Sequence, residues 1–288
     1  MQQSMLPHVV VFDGLNFLHK AASWTADRPG PQTVGALIKS LRASIEELKA
    51  SRAVFVLEGK PKARLELFPE YKANRRLEAG SAAEDRKREF MRWCNLAVEV
   101  VARWLPVAVV RHPDYEADDV VHTLLVRSSR VVPFTIVSSD TDFIQELAIP
   151  NVTVWNPTKN RAMTHPGHDY VTWKALRGDP GDGIPGIPGI GDATATKLMS
   201  DPDALGRLLS RPEAAERFTT NHSLITLAEV PEVEFAGLES STPTRDWSTL
   251  RAELLGMGLR KLTDDPYWSK TLVATFDPLW GRGEGATS

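Results

Sequence analysis

The sequence predicts an α/β fold, a mainly parallel central sheet flanked by helices. Short apolar runs at His8–Phe12, Ala53–Leu57, Val107–Val110 and Phe134–Val137, three of them rich in β-branched residues, have the length and composition of buried strands. The material between successive runs is long enough to be helical, and strands alternating with helices build a parallel sheet covered on both faces. Each run also leads into acidic residues. In open parallel sheets the ligand crevice lies beyond the carboxyl ends of the strands, so those acids stand where chemistry is expected.

In chain order, the first run ends at Asp13 and the second at Glu58. The third leads to Glu116, Asp118 and Asp119, and the fourth to Asp140 and Asp142. Val152–Trp155 adds a fifth strand that turns at Asn156-Pro157. The stretch Glu116-Ala-Asp-Asp-Val-Val-His-Thr-Leu-Leu reads as a helix start, where carboxylates gain from the macrodipole and point past the sheet end. A single acid after a strand is commonly a helix cap. Four such strand ends in succession need a further reason. Beyond residue 200, Leu205–Leu209 and Trp247–Met257 read as amphipathic helices, with Trp268, Phe276 and Trp280 packing the domain. The expected division is an α/β core over residues 1–165, a helical C-terminal region over 166–280 and a disordered tail over 281–288.

With 288 residues, 42% hydrophobic and 25% charged, the chain can bury a sizeable core. Cys94 is the only cysteine, which excludes an internal disulfide and a multi-cysteine zinc site. No segment has the length and apolarity of a signal peptide or membrane span, so a cytoplasmic protein without a membrane partner is expected. The net charge of −3 does not by itself point to nucleic acid. It conceals a local asymmetry: from Lys60 to Arg92 there are ten Lys and Arg against six Asp and Glu.

Carboxylates gathered this closely repel and raise one another's pKa values unless cations neutralise them. Ligation by oxygen alone favours Mg²⁺, with Mn²⁺ as a substitute, and a surplus of carboxylates favours two ions, an arrangement suited to phosphoryl transfer. The segment Gly178-Asp-Pro-Gly-Asp-Gly-Ile-Pro-Gly-Ile-Pro-Gly-Ile-Gly-Asp-Ala-Thr-Ala-Thr-Lys197 forbids a continuous helix. It reads instead as a tight hairpin entering a helix over Asp192–Met199, with Asp192 as N-cap, exposed backbone N–H groups able to approach a phosphate and Lys197 one turn in.

In this order the motifs Val-Phe-Asp13-Gly, Leu-Glu58-Gly-Lys, Pro69-Glu-Tyr-Lys-Ala-Asn-Arg75, Tyr-Glu116-Ala-Asp-Asp119, Ser-Ser-Asp140-Thr-Asp142 and Gly178 to Gly191 resemble the flap endonuclease/5′-3′ exonuclease family. That family includes bacteriophage 5′ nucleases, the N-terminal 5′ nuclease domain of bacterial DNA polymerase I and eukaryotic flap endonucleases. The resemblance covers roughly residues 8–200. It implies a structure-selective 5′ nuclease of replication or repair that hydrolyses DNA by a two-metal-ion mechanism, leaving 5′-phosphate and 3′-hydroxyl. Asp13, Glu58, Glu116 and Asp118 would surround one ion, with Asp119 adjacent and acting directly or through water; Asp140, Asp142, Asp179 and Asp182 would serve the second.

The resemblance further implies that Lys72 and Arg75 meet the scissile phosphate and that residues of about 68–95 form a helical arch over a single-stranded 5′ end. Arg76 would contact DNA, and Tyr71 would stack on a base, with simple packing as its alternative. A helix–hairpin–helix at about 178–200 would grip the duplex backbone through Gly186, Gly189, Gly191, Thr194 and Lys197, with a monovalent cation bound there. The implied partner is DNA with a 5′ end, flap or nick, or an RNA primer–DNA hybrid, met by a monomer in a bacterial cell or phage-infected host. Because the chain stops at residue 288, a nuclease without a polymerase domain is expected. Glu58 stands where Asp is common, and Gly181 and Gly183 where Ser and Asn are frequent, which bears most on the second ion. Two rivals remain: a metal-dependent ribonuclease of a related α/β class, and a DNA-junction-binding module without catalysis.

Overall fold

Strand β1 (Val9–Asp13) runs directly into α1 (Gly14–Ala22), and α2 (Pro31–Glu47) returns the chain to β2 (Arg52–Leu57). A short α3 (Lys62–Leu67) and a long α4 (Ala82–Trp104) lead to β3 (Ala108–Arg111); α5 (Ala117–Ser128), β4 (Phe134–Val137), β5 (Val152–Asn156) and β6 (Arg161–Ala162) follow. This computed structural model describes residues 7–25, 29–75 and 80–281. Arg76 and tail residues 282–288, about which the sequence raised expectations, lie outside that range.

The sheet order is β6-β5-β4-β1-β2-β3-β9, where β9 (Glu239–Ser240) comes from the C-terminal part of the chain. All pairings are parallel except the two at the edges, β5 with β6 and β3 with β9. From β1 the chain builds outward to β2 and β3, then crosses back to lay β4 on the other side of β1. That reversal puts a crevice beyond the carboxyl ends of β1 and β4.

Alternation along the strands divides their side chains between two cores, as expected for a sheet covered on both faces. Val10, Phe12, Ala53 and Phe55 join α1, α2 and α4 on one face, while Val11 and Val56 join α5 on the other. Phe55 is fully buried, and its truncation to Ala would cost roughly 3–5 kcal/mol. Cys94 is buried in the first of these cores.

After β6 come α6 (Tyr170–Arg177), a two-stranded hairpin of β7 (Gly178–Asp179) and β8 (Ile184–Pro185), α7 (Asp192–Met199), α8 (Pro202–Leu209) and α9 (Pro212–Ile225). These pack around small clusters of their own, which include Ala175, Leu176, Ile187 and Leu224. The helices α10 (Trp247–Gly256), α11 (Arg260–Thr263) and α12 (Ala274–Phe276) then return to the main core, to which Leu250, Leu254, Trp268, Phe276 and Leu279 belong. A division at residue 165 therefore does not divide the core: β9 extends the sheet and the last helices cover α2. Pairing at a sheet edge and burial of aromatic side chains are long-range contacts that local sequence does not disclose. Among the described residues, no helix is long and apolar enough to cross a membrane.

Candidate active site

Asp13 ends β1 and caps α1, its Oδ1 accepting the Asn16 N–H at 3.5 Å. Ser138, just past β4, donates its hydroxyl to Asp13 Oδ2 at 2.7 Å and accepts the Asp140 N–H at 3.0 Å. One hydroxyl thus fastens the acids of two neighbouring strand ends. Glu58 reaches across from β2 to accept the Ala117 N–H at the start of α5, 3.0 Å away. Gly59 permits this approach: a Cβ there would stand 1.9 Å from the His112 carbonyl oxygen and 2.4 Å from that of Tyr115. Asp118 lies in the first turn of α5, where its Oδ1 accepts the Asp119 N–H at 2.8 Å.

Two tight groups of carboxylates result. Oxygens of Glu116, Asp118 and Asp119 lie within 4.8 Å of one another, as do those of Asp142, Asp179 and Asp182. Asp13, Glu58, Asp118 and Asp140 share a crevice of about 800 Å³ with Lys72 and Arg75. Asp140, expected with the second group, lies between the two: it is tied to Asp13 through Ser138, and its Oδ1 accepts the Asp142 N–H at 2.9 Å.

Protein cations reach only part of this set. Lys72 pairs with Glu116 and has its Nζ 3.8 Å from Asp182; Arg75 pairs with Asp182. Lys174, 3% exposed on α6, binds Asp142 and stands 2.6 Å from Asp179 Oδ2. Arg64, 7% exposed on α3, binds Glu116 and Asp119. Among the described residues, no Lys or Arg pairs with Asp13, Glu58, Asp118 or Asp140.

The electrostatics follow from that shortfall. Burial pushes Asp13 up to about 7, opposed by the Ser138 hydroxyl and assisted by the like charges of Glu58 and Asp140. Burial and then Asp119 hold Asp118 well above the usual carboxylate range, and burial raises Glu58 as well. Asp142 is pushed up to about 6 by burial, even against the pull of Lys174. For Asp179 the order reverses: burial would raise it, but Lys174 and the Gly181 N–H bring it below the ordinary value. Burial disfavours the charged forms of Lys72 and Lys174, yet their carboxylate partners keep both above the usual lysine value. Carboxylate oxygens that line an open crevice, destabilised as anions and lacking a protein cation, form a donor set that fits hard divalent metal ions.

Tyr71 corrects the stacking expectation. Its ring is 4% exposed and packs with Ala175, Ile184 and Leu224, while its hydroxyl donates to Glu116 at 3.0 Å and to Asp182 at 3.3 Å. A phenol at the junction of two acid groups satisfies its own buried hydroxyl there, and the ring is packed, the alternative to stacking. Lys72, at φ 55, is one of the few non-glycine residues in the left-handed region, and its N–H donates to the Asp182 carbonyl at 2.8 Å. Arg75 also donates to the Gly181 carbonyl at 3.1 Å. Arg75 therefore sits on Asp182 of the hairpin loop, while Lys72 bridges Glu116 and that loop.

The hairpin itself carries Asp182 to Lys72 and Arg75, which line the crevice, and Asp179 to Lys174. Gly186, Gly189 and Gly191 follow it, with Thr194 and Lys197 exposed on α7. The helix is capped by Gly191 without a side-chain hydrogen bond; Asp192, expected as the cap, is its first residue and pairs with Arg177 at 3.2 Å. Three participants escaped the sequence reading. Ser138 lay within the quoted Ser-Ser-Asp motif, Arg64 within the basic run, and Lys174 in an ordinary amphipathic helix with no signal beyond its place before Gly178-Asp179.

A parallel sheet whose carboxyl edge gathers carboxylates about a crevice that Lys72 and Arg75 also line, with a glycine-rich hairpin beside it, defines a metal-dependent nuclease. The chain belongs to the 5′-3′ exonuclease family: residues 8–174 match the model of the 5′-3′ exonuclease N-terminal resolvase-like domain. It is similar to a 5′-3′ exonuclease of Mycobacterium tuberculosis, 28% identical over 242 residues that span 74% of this chain and 75% of the relative. A DNA polymerase I of Mycobacterium bovis is 34% identical over 168 residues, 52% of this chain but 17% of the polymerase. In fold the chain is similar to the T5 D15 protein co-crystallised with metal ions, with a TM-score of 0.63 at 16% identity over 94% of this chain and 99% of the other.

Proposed function

We propose that the protein is a structure-selective 5′ nuclease that hydrolyses DNA phosphodiesters at or near a 5′ end with two Mg²⁺ ions, for which Mn²⁺ substitutes, leaving 5′-phosphate and 3′-hydroxyl. The observation that carries this is the bridging of two carboxylate groups by Lys72 and Tyr71 beside one crevice. Asp13, Glu58, Glu116 and Asp118 would hold one ion, and Asp142, Asp179 and Asp182, with Asp140 between the groups, the other; together the ions would activate water and stabilise the leaving oxygen.

The chain's own residues do the rest. Lys72 and Arg75, already at the crevice, move from carboxylates to the scissile phosphate, where their charge is worth most as negative charge develops. Backbone N–H groups around Gly189 and Gly191, with Thr194, Lys197 and a monovalent cation, hold the duplex backbone, and such contacts fix register without reading sequence. The exposed start of α4, Ala82 to Glu89, with Lys87 at the crevice, would form one side of the arch that admits a single-stranded 5′ end. The family match and the retention of all the acids weigh against both the ribonuclease and the silent binding module. A monomer acting in replication or repair in the bacterial cytoplasm or a phage-infected host completes the proposal.

The test compares the protein with Asp140→Asn on a 5′-labelled flap, a nicked duplex and a single strand, in Mg²⁺ and in EDTA. Mg²⁺-dependent cutting near the junction or 5′ terminus, lost in the variant, is expected. DNA binding without any cutting in Mg²⁺ would contradict the proposal.

A further inference from the structure

We infer that Arg64 is a positioning residue of this site, an internal cation that withdraws Asp119 from the metal-ligand set and aims Glu116 at the crevice; the inference rests on the nuclease reading above. Proximity alone groups Asp119 with Glu116 and Asp118. Its pairing separates it from them. Arg64 Nη1 lies 2.5 Å from Asp119 Oδ2 and Nη2 lies 2.8 Å from Oδ1, the two-pronged geometry that makes guanidinium–carboxylate pairs strong. Oδ1 also accepts the Ala228 N–H at 2.8 Å, and Asp119 is 2% exposed. Both of its oxygens are thus engaged inside the protein. A metal ion at Asp119 would have to approach a buried carboxylate already neutralised by a cation that does not lose its charge at any working pH.

The same guanidinium shapes Glu116. Arg64 Nη1 takes Glu116 Oε2 at 2.7 Å and the Tyr71 hydroxyl takes the same oxygen at 3.0 Å, which leaves Oε1 turned toward Lys72 at the crevice. The remaining donors of Arg64 go to the backbone at the end of α9: Nε to the Leu224 carbonyl at 2.9 Å and Nη2 to that of Thr226 at 3.2 Å. One side chain therefore joins the first acid group to the helical region beside the hairpin. Supports of this kind behind a ligand typically change metal affinity or activity by about 10–100-fold when removed.

The experiment is Mn²⁺ titration calorimetry without DNA, alongside steady-state flap cleavage and thermal unfolding, on the wild type, Arg64→Gln, Arg64→Lys, Asp119→Asn and Asp118→Asn. Asp118→Asn should weaken Mn²⁺ binding by about tenfold or more, whereas Asp119→Asn should weaken it by no more than about threefold while lowering the unfolding temperature. Arg64→Gln should weaken Mn²⁺ binding and kcat by about tenfold or more with KM for DNA within about twofold, and Arg64→Lys, which restores charge but not the fork, should fall between. Asp119→Asn matching Asp118→Asn in Mn²⁺ affinity would overturn the inference, as would Arg64→Gln binding Mn²⁺ like the wild type. If Arg64→Gln does not fold, the comparison of the two aspartate variants decides. Because the metal readout does not depend on cleavage, a wild type that shows this Mn²⁺ pattern but cuts no DNA would refute the nuclease reading and leave the placement of Arg64 standing.

Discussion

The hydroxyl of Tyr71 donates to Glu116 Oε2 across 3.0 Å, so a residue whose ring had stacking on a base or packing as its alternatives is packed, and ties an acid of the first group to the hairpin loop of the second. Tyr71→Phe separates the two roles. It keeps the ring and removes only the donor, so it should lower kcat severalfold, leave KM for DNA within about twofold, and cost about 0.5–1.5 kcal/mol of stability. A base-stacking role predicts wild-type kinetics for the same variant. Steady-state cleavage of a flap substrate with both proteins distinguishes them.

The metal-free protein should lose stability as pH rises. The folded-state pKa of Asp13, pushed up to about 7, exceeds its ordinary value of 3.8, so the folded state holds a proton that the unfolded chain has released. That contribution is fully present below about 4 and is lost as pH passes through about 7. Thermal unfolding in EDTA across this window should show the decline, and Asp13→Asn should flatten it. In Mg²⁺ the wild type should lose less, because metal binding displaces the proton.

Lys174 is the cation that holds Asp142 and Asp179 together in the absence of metal. Lys174→Met strands two partly buried carboxylates and should cost roughly 3–5 kcal/mol in EDTA by chemical denaturation. Saturating Mg²⁺ should recover part of the loss. An equal loss with and without Mg²⁺ would mean that the lysine and the metal ion do not compete for these acids.

Within the glycine-rich segment, structure and affinity should separate. A Cβ at Gly186 would stand 2.2 Å from the Arg177 carbonyl oxygen, so Gly186→Ala should destabilise the hairpin and lower the unfolding temperature. Lys197 is exposed, and Lys197→Ala should leave stability unchanged while reducing the salt dependence of DNA binding by about one unit of slope. Binding measured from low to moderate salt checks the latter.

Local chemistry made much of this molecule legible. The strands lie within a residue or two of the apolar runs, because burial on both faces of a parallel sheet demands continuous hydrophobic stretches. The acids at their ends were visible because the crevice of such a sheet always lies at the carboxyl edge. Glu58 and Asp118 needed only their position after a strand to be found.

What only the tertiary structure decided is the state of each acid. Arg64 meets Asp119 across 55 residues of chain and Lys174 meets Asp142 across 32. No local pattern distinguishes a carboxylate that will face a buried guanidinium from one left open to a metal ion. The strand β9 and the return of Trp268 and Phe276 to the main core belong to the same category. The sequence by itself determined which residues could be strands and which could be ligands, since period and side-chain chemistry are local properties. Which carboxylates remain free was decided by folding, because charge neutralisation depends on distance in space.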